Sequence, residues 1–262
     1  MDLGLSDKVA FISGGSQGIG AAVAKLLSEE GARVAVAARS AVGLGELAKE
    51  IRERFGASIL TLQADFSRPE DIESAIAKAA EHFGGLDILV NSAGSSMFGR
   101  FHQVPDETWL GDFNLKFFGT VRACRASLPH LRKRGVGRII NVAGNSGKQP
   151  YQWHLPGGAA NAALVNFTHA LAQELSADNI LVTAVCPGPV ETQRLRKQIK
   201  TMAEMWELPP EKAEKDFYAG LPFKRAATAE EVANLIVFLA SDKASYISGT
   251  AITIDGCISK GI

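Results

Sequence analysis

Residues 13–20 read SGGSQGIG and connect a short apolar run, residues 8–13, to an alanine-rich segment. This context is typical of the turn between a strand and a helix that binds the pyrophosphate of a dinucleotide. Gly14 permits a tight turn, Gly18 lets backbone N–H groups approach a phosphate, and Gly20 lets the helix pack closely on the sheet. The helix N-terminus adds positive potential at the same place. The stretch therefore predicts a dinucleotide site at the carboxyl edge of a β-sheet.

Six further apolar runs follow the first one at regular intervals. They span residues 33–38, 58–63, 86–91, 138–143, 180–185 and 251–254. Because the runs are nearly continuous rather than alternating, they suit strands that are covered on both faces by helices. Residues 72–83, for example, repeat apolar side chains at helical spacing before Gly84 and Gly85. We expect an α/β protein with a three-layer, doubly wound, seven-stranded parallel sheet of Rossmann type, in a single domain over residues 1–262.

The bulk composition argues against several classes of protein. The chain has 28 Lys and Arg against 28 Asp and Glu, so no basic field favours nucleic acid or an anionic membrane as a partner. Cys124, Cys186 and Cys257 lie far apart and predict neither a disulfide framework nor a metal site. No run approaches the roughly 20 apolar residues that span a bilayer. We therefore expect a cytoplasmic protein without bound metal.

One segment, residues 191–225, interrupts the alternation of strands and helices. It carries Met202, Trp206, Phe217 and Tyr218 together with the Pro209-Pro210 pair. This composition predicts a helical, lid-like insertion within the domain. The alternative is a surface excursion whose apolar residues pack on the body of the protein or on a partner subunit.

The residues after the second run distinguish two dinucleotides. A site for NAD offers a carboxylate to the adenosine ribose, whereas Ala38 is followed here by Arg39 and Ser40. A guanidinium holds a 2′-phosphate by charge-assisted hydrogen bonds, and a carboxylate repels it. The sequence favours NADP, and NAD remains the alternative if Arg39 is a solvated loop cation.

Taken together, these motifs resemble the short-chain dehydrogenase/reductase family of NAD(P)-dependent oxidoreductases over nearly the whole chain. The likeness rests on the glycine-rich turn, Asp65, residues 91–94, Asn114 and the Pro187-Gly188 pair. It implies a homotetramer or a homodimer that acts on a small molecule. It also implies cofactor-binding residues at Gly14, Ser16, Gln17, Gly18, Ile19, Gly20, Arg39, Ser40, Asp65, Phe66, Asn91, Ala93, Gly94, Pro187, Gly188, Val190 and Thr192.

The chain departs from the family at the residues that do the chemistry. The family uses a serine after the fifth strand, a tyrosine and a lysine four residues apart on the next helix, and an asparagine on the preceding helix. An ungapped register between residues 137–141 and residues 162–167 places Gly144 at the serine, Gly157 at the tyrosine and Asn161 at the lysine. Only the asparagine, Asn114, is retained. Because glycine supplies no proton, the family's usual route of carbonyl reduction is excluded.

The segment before Pro156 offers replacements for the missing phenol. His154 is the first candidate for a proton donor, because an unperturbed imidazole titrates near neutral pH, and Tyr151 is the second. With Asn114 they make up the candidate catalytic residues. The alternative is that His154 and Tyr151 are ordinary loop residues that pack over the end of a helix.

Three functions are compatible with this pattern. The favoured one is a divergent oxidoreductase that transfers hydride to or from a carbonyl, an alcohol or an enone, with an unusual proton donor. The others are a catalytically inactive NADP-binding sensor or regulator, and a non-redox lyase or hydratase. Four basic residues hint at an anionic substrate but are equally typical of a solvated helix face: Arg194, Arg196, Lys197 and Lys200.

Overall fold

The chain alternates strands and helices throughout a computed structural model that describes residues 1–94 and 97–260. The strands are β1 (Val9–Ser13), β2 (Arg33–Ala38), β3 (Leu60–Gln63), β4 (Ile88–Asn91), β5 (Gly137–Val142), β6 (Ile180–Pro187) and β7 (Thr250–Ile254). The helices are α1 (Gly18–Glu29), α2 (Ala41–Phe55), α3 (Pro69–Phe83), α4 (Asp106–Asp112), α5 (Gly119–Arg134), α6 (Leu155–Leu175), α7 (Gln193–Met205), α8 (Pro210–Gly220) and α9 (Ala229–Ala240). The predicted strands are confirmed to within two residues at each end.

All seven strands form one parallel sheet in the order β3-β2-β1-β4-β5-β6-β7. Successive side chains of a strand enter opposite cores. Phe11 packs with α3, α5 and α6, whereas Ile12 packs with α1, α2 and α9, and both side chains are fully buried. Burying such a side chain contributes about 1.5–3 kcal/mol to folding. The predicted doubly wound sheet of Rossmann type is confirmed.

The order of the strands reverses between β1 and β4, which opens a crevice at their carboxyl ends. Ser13 at the end of β1 pairs with Asn91 at the end of β4. The Ser13 hydroxyl accepts hydrogen bonds from the backbone N–H groups of Ser92 (3.2 Å) and Ala93 (3.3 Å). These bonds hold the loop after β4 against the glycine-rich turn and fix the floor of the crevice.

Gly14 begins that turn in a conformation that excludes other residues. Its φ is +68°, and a Cβ built on it would lie 2.7 Å from the backbone N and Cα of Ala93. Gly20 is equally constrained, since its Cβ would lie 2.6 Å from the carbonyl oxygen of Gly14. The close approach of two backbones therefore requires glycine at both positions.

We expect Gly14→Ala to lower the free energy of unfolding by about 2–3 kcal/mol, through the left-handed backbone and the overlap with Ala93. Gly45→Ala is the matched control. Gly45 lies on the exposed face of α2 with nothing within 4 Å of its Cβ direction, so alanine there should stabilise the protein by up to about 1 kcal/mol. Urea denaturation measures the free energy of unfolding of the two variants. Equal values for Gly14→Ala and Gly45→Ala would contradict the requirement for glycine at position 14.

Residues 191–225 form two helices, α7 and α8, between β6 and α9. The Thr192 side chain caps α7 by accepting a hydrogen bond from the N–H of Leu195. Leu195, Ile199 and Ala226 form a small core of their own, against which Phe217 and Tyr218 pack. The segment is thus a separate helical layer beside the carboxyl edge of the sheet.

Within the part of the chain that the structure describes, no helix has both the length and the apolar character needed to cross a bilayer.

Candidate active site

A cavity of about 1060 Å³ occupies the crevice at the carboxyl edge of the sheet. It runs from the turn before α1 to residues 151–154 and lies under α7 and α8. Fourteen of the predicted cofactor residues line it: Gly14, Ser16, Gln17, Gly18, Ile19, Arg39, Ser40, Phe66, Ala93, Gly94, Pro187, Gly188, Val190 and Thr192. Leu195, Met202, Trp206 and Phe217 line it from the side of the lid-like segment.

Three predicted cofactor residues lie behind the lining. Gly20 is buried beneath Gly14. The Asn91 amide donates a hydrogen bond to the Asn141 amide oxygen at 2.9 Å, and the Asp65 carboxylate accepts bonds from the N–H and hydroxyl of Ser67. These side chains shape the loops around the cavity from behind.

The phosphate end of the cavity is formed by the N-terminus of α1. Gln17 occupies the N-cap position with no side-chain cap, and the first turn contains no acidic residue. The N–H groups of this turn and the positive end of the helix dipole are therefore available to an anion in the cavity. This arrangement fits a pyrophosphate.

Arg39 extends from the end of β2 at the same end of the cavity. Its backbone oxygen accepts a bond from Gln63 (3.1 Å), and its side chain is exposed. None of the described carboxylates forms an ion pair with its guanidinium. The next residue, Ser40, caps α2 by accepting a bond from the N–H of Gly43. A cation beside a helix N-terminus is suited to bind a phosphate ester.

The Asn161 amide, at the position that the sequence register assigns to the family's lysine, is held by two hydrogen bonds. The N–H of Gly144 donates to the Asn161 side-chain oxygen at 2.8 Å, and the Asn161 amide donates to the Ser146 hydroxyl at 2.9 Å. A Cβ on Gly144 would lie 2.9 Å from the Asn161 side-chain nitrogen. Glycine at 144 and asparagine at 161 therefore fit each other, and Ser146 completes their network.

The His154 imidazole occupies the space into which a side chain at position 157 would project. A Cβ built on Gly157 would lie 2.3 Å from His154 Nε2. The ring stacks on Phe98 with centroids 4.7 Å apart and planes 12° apart, and only 8% of the residue is exposed. Trp153, with φ at +65°, turns the chain so that His154 enters the cavity just before α6.

The environment of His154 keeps its ring neutral. Burial, and then the positive charges of Lys116 and Arg194, lower the pKa of His154 from 6.5 to about 4. At neutral pH the imidazole therefore has one N–H donor and one acceptor nitrogen.

The lowered pKa of His154 predicts a loss of stability in acid. The unfolded chain takes up a proton near pH 6.5 and the folded chain only near pH 4, so the stabilising contribution is complete above pH 6.5 and is lost as the pH falls toward 4. We expect a loss of about 3 kcal/mol across this window that is absent in His154→Gln. His102→Gln, at an exposed histidine, is the control. Denaturation curves at several pH values measure the difference, and parallel profiles for wild type and His154→Gln would refute the prediction.

Tyr151 lines the cavity next to His154. The Asn145 amide donates hydrogen bonds to the Tyr151 phenol oxygen and to the Asp255 carboxylate, the latter at 3.2 Å. Burial raises the pKa of the Tyr151 phenol above its usual value. The phenol thus stays protonated and retains its own O–H as a donor.

The structure places the Asn114 side chain away from the cavity. Its amide donates to the carbonyl oxygen of Ser67 at 2.9 Å, and its oxygen accepts a bond from Arg122 at 2.7 Å. Asn114 lies in a π-helical turn, Phe113–Phe118, between α4 and α5. Its amide is thus used to anchor this turn to the loop after β3.

Lys116 is a charged cavity residue that its sequence context did not indicate, and Arg194 is one whose role the sequence left open. Lys116 lies two residues after Asn114 and lines the cavity although it is only 8% exposed. Burial and the nearby charge of Arg194 lower the pKa of Lys116 to about 8. Arg194 also lines the cavity, whereas Arg196, Lys197 and Lys200 do not. Lys116 faces the cavity from the π-helical turn, and a turn of this kind has no recognisable sequence pattern.

The fold and the cavity define a Rossmann-type α/β protein with a ligand site at the topological switch point of its sheet. A sequence profile described as enoyl-(acyl carrier protein) reductase matches residues 14–259. The chain belongs to the short-chain dehydrogenase/reductase family, as its motifs indicated.

Individual members of the family resemble the chain over almost its full length. L-sorbose reductase from Gluconobacter frateurii, solved in complex with NADPH and L-sorbose, is 35% identical, with a TM-score of 0.93 and coverage of 100% of both chains. An actinorhodin polyketide ketoreductase with NADPH is 33% identical, with a TM-score of 0.94 and coverage of 97% of this chain and 98% of the other. A D-beta-hydroxybutyrate dehydrogenase of Rhizobium meliloti is 31% identical over 95% of this chain and 97% of its own length.

Proposed function

We propose that the protein is an NADP(H)-dependent oxidoreductase that transfers a hydride to or from a carbonyl, an alcohol or an enone. Its proton donor is a group other than the tyrosine that the family uses. One observation carries the proposal. A single cavity joins the N-terminal turn of α1 to the His154 imidazole, which fills the space beside Gly157, the position that the sequence register assigns to the family's tyrosine. The NADPH complexes among its structural relatives support the choice of oxidoreductase and of cofactor.

The residues present fit NADP(H). The uncapped N-terminus of α1 would hold the pyrophosphate, and Arg39 with Ser40 would hold the 2′-phosphate. Ala93, Gly94 and Thr192 would line the path of the nicotinamide ribose. When bound, the cofactor supplies a hydride to the carbonyl carbon and is oxidised, so that the carbonyl oxygen gains the π electron pair and one proton.

His154 is the proposed donor to that oxygen. Its neutral N–H can donate a hydrogen bond to the developing alkoxide, as a neutral imidazole does when burial and nearby cations hold its pKa low, and the proton that the alkoxide takes up then comes from the Tyr151 phenol or from water. The Tyr151 phenol, oriented by Asn145, is the second donor. With an enone the hydride would go to the β carbon, the oxygen would require only such hydrogen bonds, and water would protonate the α carbon of the enolate.

Titration with NADPH and NADH tests the cofactor assignment, followed by nicotinamide fluorescence and thermal stability. Binding to the folded state alone raises the melting temperature. We expect NADPH to bind and to be consumed when ketones, oxo acids, aldehydes and enones are added. Tight NADPH binding with no consumption by any of these compounds would favour the sensor function.

We also propose that the protein assembles as a homodimer or homotetramer. Several large apolar side chains are exposed in the single chain, and they include Phe101 (73%), Leu110 (70%) and Phe118 (46%). Apolar residues of this size are typical of protein interfaces. Light scattering of the purified protein would show a monomer if the proposal is wrong.

A further inference from the structure

Two basic side chains converge on Gly94 inside the cavity. The Arg194 guanidinium donates a hydrogen bond to the Gly94 carbonyl oxygen. A Cβ built on Gly94 would lie 3.6 Å from Lys116 Nζ. Gly94 follows β4, and His154 is close enough for both charges to act on its ring. The two cations therefore lie at the end of the cavity where the reacting part of a substrate would be bound.

These charges lack a matching anion in the cavity wall. The ion pairs among residues 1–94 and 97–260 include neither Lys116 nor Arg194. Asp112 is the carboxylate that acts on both, but it does not line the cavity. Among the described residues of the lining, the one side-chain carboxylate is that of Glu46, at the opposite end with Arg39. A negative ligand would offset this excess of positive charge.

A buried ammonium is costly to the folded state, because burial removes its hydration. Lys116 is 8% exposed, and among the described residues no hydrogen bond is formed by its Nζ. Since its pKa of about 8 leaves it charged at neutral pH, the cost persists under working conditions. Residues that are kept at a cost in stability are typical of functional sites.

The part of the cavity wall around His154 is rich in aromatic side chains. Phe98 stacks on His154, and Trp153 lies 6.4 Å from Trp206 of the lid-like segment between ring centroids. The cavity is lined by the side chains of Phe98, Trp153, Trp206 and Phe217. This end of the cavity thus suits a ligand with an apolar body and one anionic group.

We propose that Lys116 and Arg194 form an anion-binding subsite, and that the substrate is a carbonyl or hydroxy compound carrying an anionic group such as a carboxylate, a sulfonate or a phosphate ester. The inference rests on the proposed function and gives its substrate class. An anion bound there would offset the charges that repel a proton from His154, so substrate binding would also favour a protonated donor next to the carbonyl oxygen.

Paired probes of equal shape test the subsite by binding alone. NADPH-loaded protein is titrated with benzoate, benzenesulfonate and neutral benzamide while the fluorescence of Trp153 and Trp206 is followed. We expect at least one anion to bind about 10-fold or more tightly than benzamide, since charge-assisted hydrogen bonds are the stronger ones. The preferred anion shows whether the subsite is shaped for a planar or a tetrahedral group.

Variants assign the effect to the two side chains. Lys116→Met and Arg194→Gln should each reduce the preference for the anion to about twofold or less, whereas Arg196→Gln, on the same helix but outside the cavity, should leave it unchanged. Lys116→Met should also raise the melting temperature, because it removes a buried charge, and this shows that the variant is folded.

Three results would overturn the subsite. They are equal binding of anion and benzamide, no binding of either, or competition between the anion and NADPH, which would assign the two cations to the cofactor. A different result would overturn the proposed function without overturning the subsite. Anion binding that depends on Lys116 and Arg194, in a protein that never consumes NADPH, would leave the subsite in place and overturn only the oxidoreductase.

Discussion

Replacing Arg39 by aspartate is expected to weaken NADPH binding by about 100-fold or more and to leave NADH binding unchanged or improved. The variant removes the guanidinium that would hold the 2′-phosphate and adds a charge that repels it, and two such effects amount to about 3 kcal/mol or more. Arg39 is exposed at the carboxyl end of β2 beside the capped N-terminus of α2, so its replacement should not disturb the fold. Fluorescence titration with the two cofactors measures the ratio of their dissociation constants.

Arg33 provides the control for this experiment because it lies at the opposite end of the same strand. Its guanidinium donates to the carbonyl oxygen of Asp7 and does not line the cavity. Arg33→Gln should therefore bind both cofactors as wild type does. If Arg39→Asp retained the wild-type preference, Arg39 would be a solvated loop cation and the choice of NADP over NAD would lose its physical basis.

His154→Ala is expected to lower kcat for NADPH-dependent reduction by about 10²–10⁴-fold, the usual contribution of a positioned acid or base. The dissociation constant of NADPH should change little, because the imidazole lies at the far end of the cavity from Arg39 and the α1 turn. Tyr151→Phe should have a smaller effect, since it removes the second donor. His169→Ala, at an exposed histidine on α6, is the matched control.

If His154→Ala and Tyr151→Phe both kept wild-type activity, neither side chain would take the role of the family's phenol. Water or Lys116 would then be the remaining sources of the proton. A fall in activity with an equal fall in NADPH affinity would instead indicate that His154 only supports the cavity wall through its stack on Phe98.

Local features of the chain predicted the fold and the cofactor end of the site. The apolar runs are strands because both faces of the sheet are covered, and Gly20 is required by the close contact of its backbone with Gly14 within the turn. Arg39 follows a strand whose end lies at the crevice, so its position was readable from the sequence. These features depend on short-range geometry, which pattern and spacing describe well.

The reacting end of the site depends on geometry that pattern does not describe. Lys116 faces the cavity within a π-helical turn, which has no distinct sequence pattern. His154 reaches the space beside Gly157 because Trp153, a residue not expected at positive φ, turns the chain. The register assigns Gly144 and Asn161 to the positions of the family's serine and lysine, but only the structure shows that they hydrogen-bond to each other.

The most direct measurement of the central claim is transfer of deuterium from NADPH labelled at nicotinamide C4 to an anionic carbonyl substrate such as phenylglyoxylate. With two deuterium atoms at C4, wild type should place one deuterium on the carbinol carbon of the product for each NADPH consumed, whereas His154→Ala should form the labelled product about 10²–10⁴-fold more slowly under the same NADPH saturation. Wild-type protein that binds NADPH tightly but transfers no label to this compound, or to any other member of the ketone, oxo acid, aldehyde and enone panel, would contradict it and identify an NADP-binding protein without hydride chemistry.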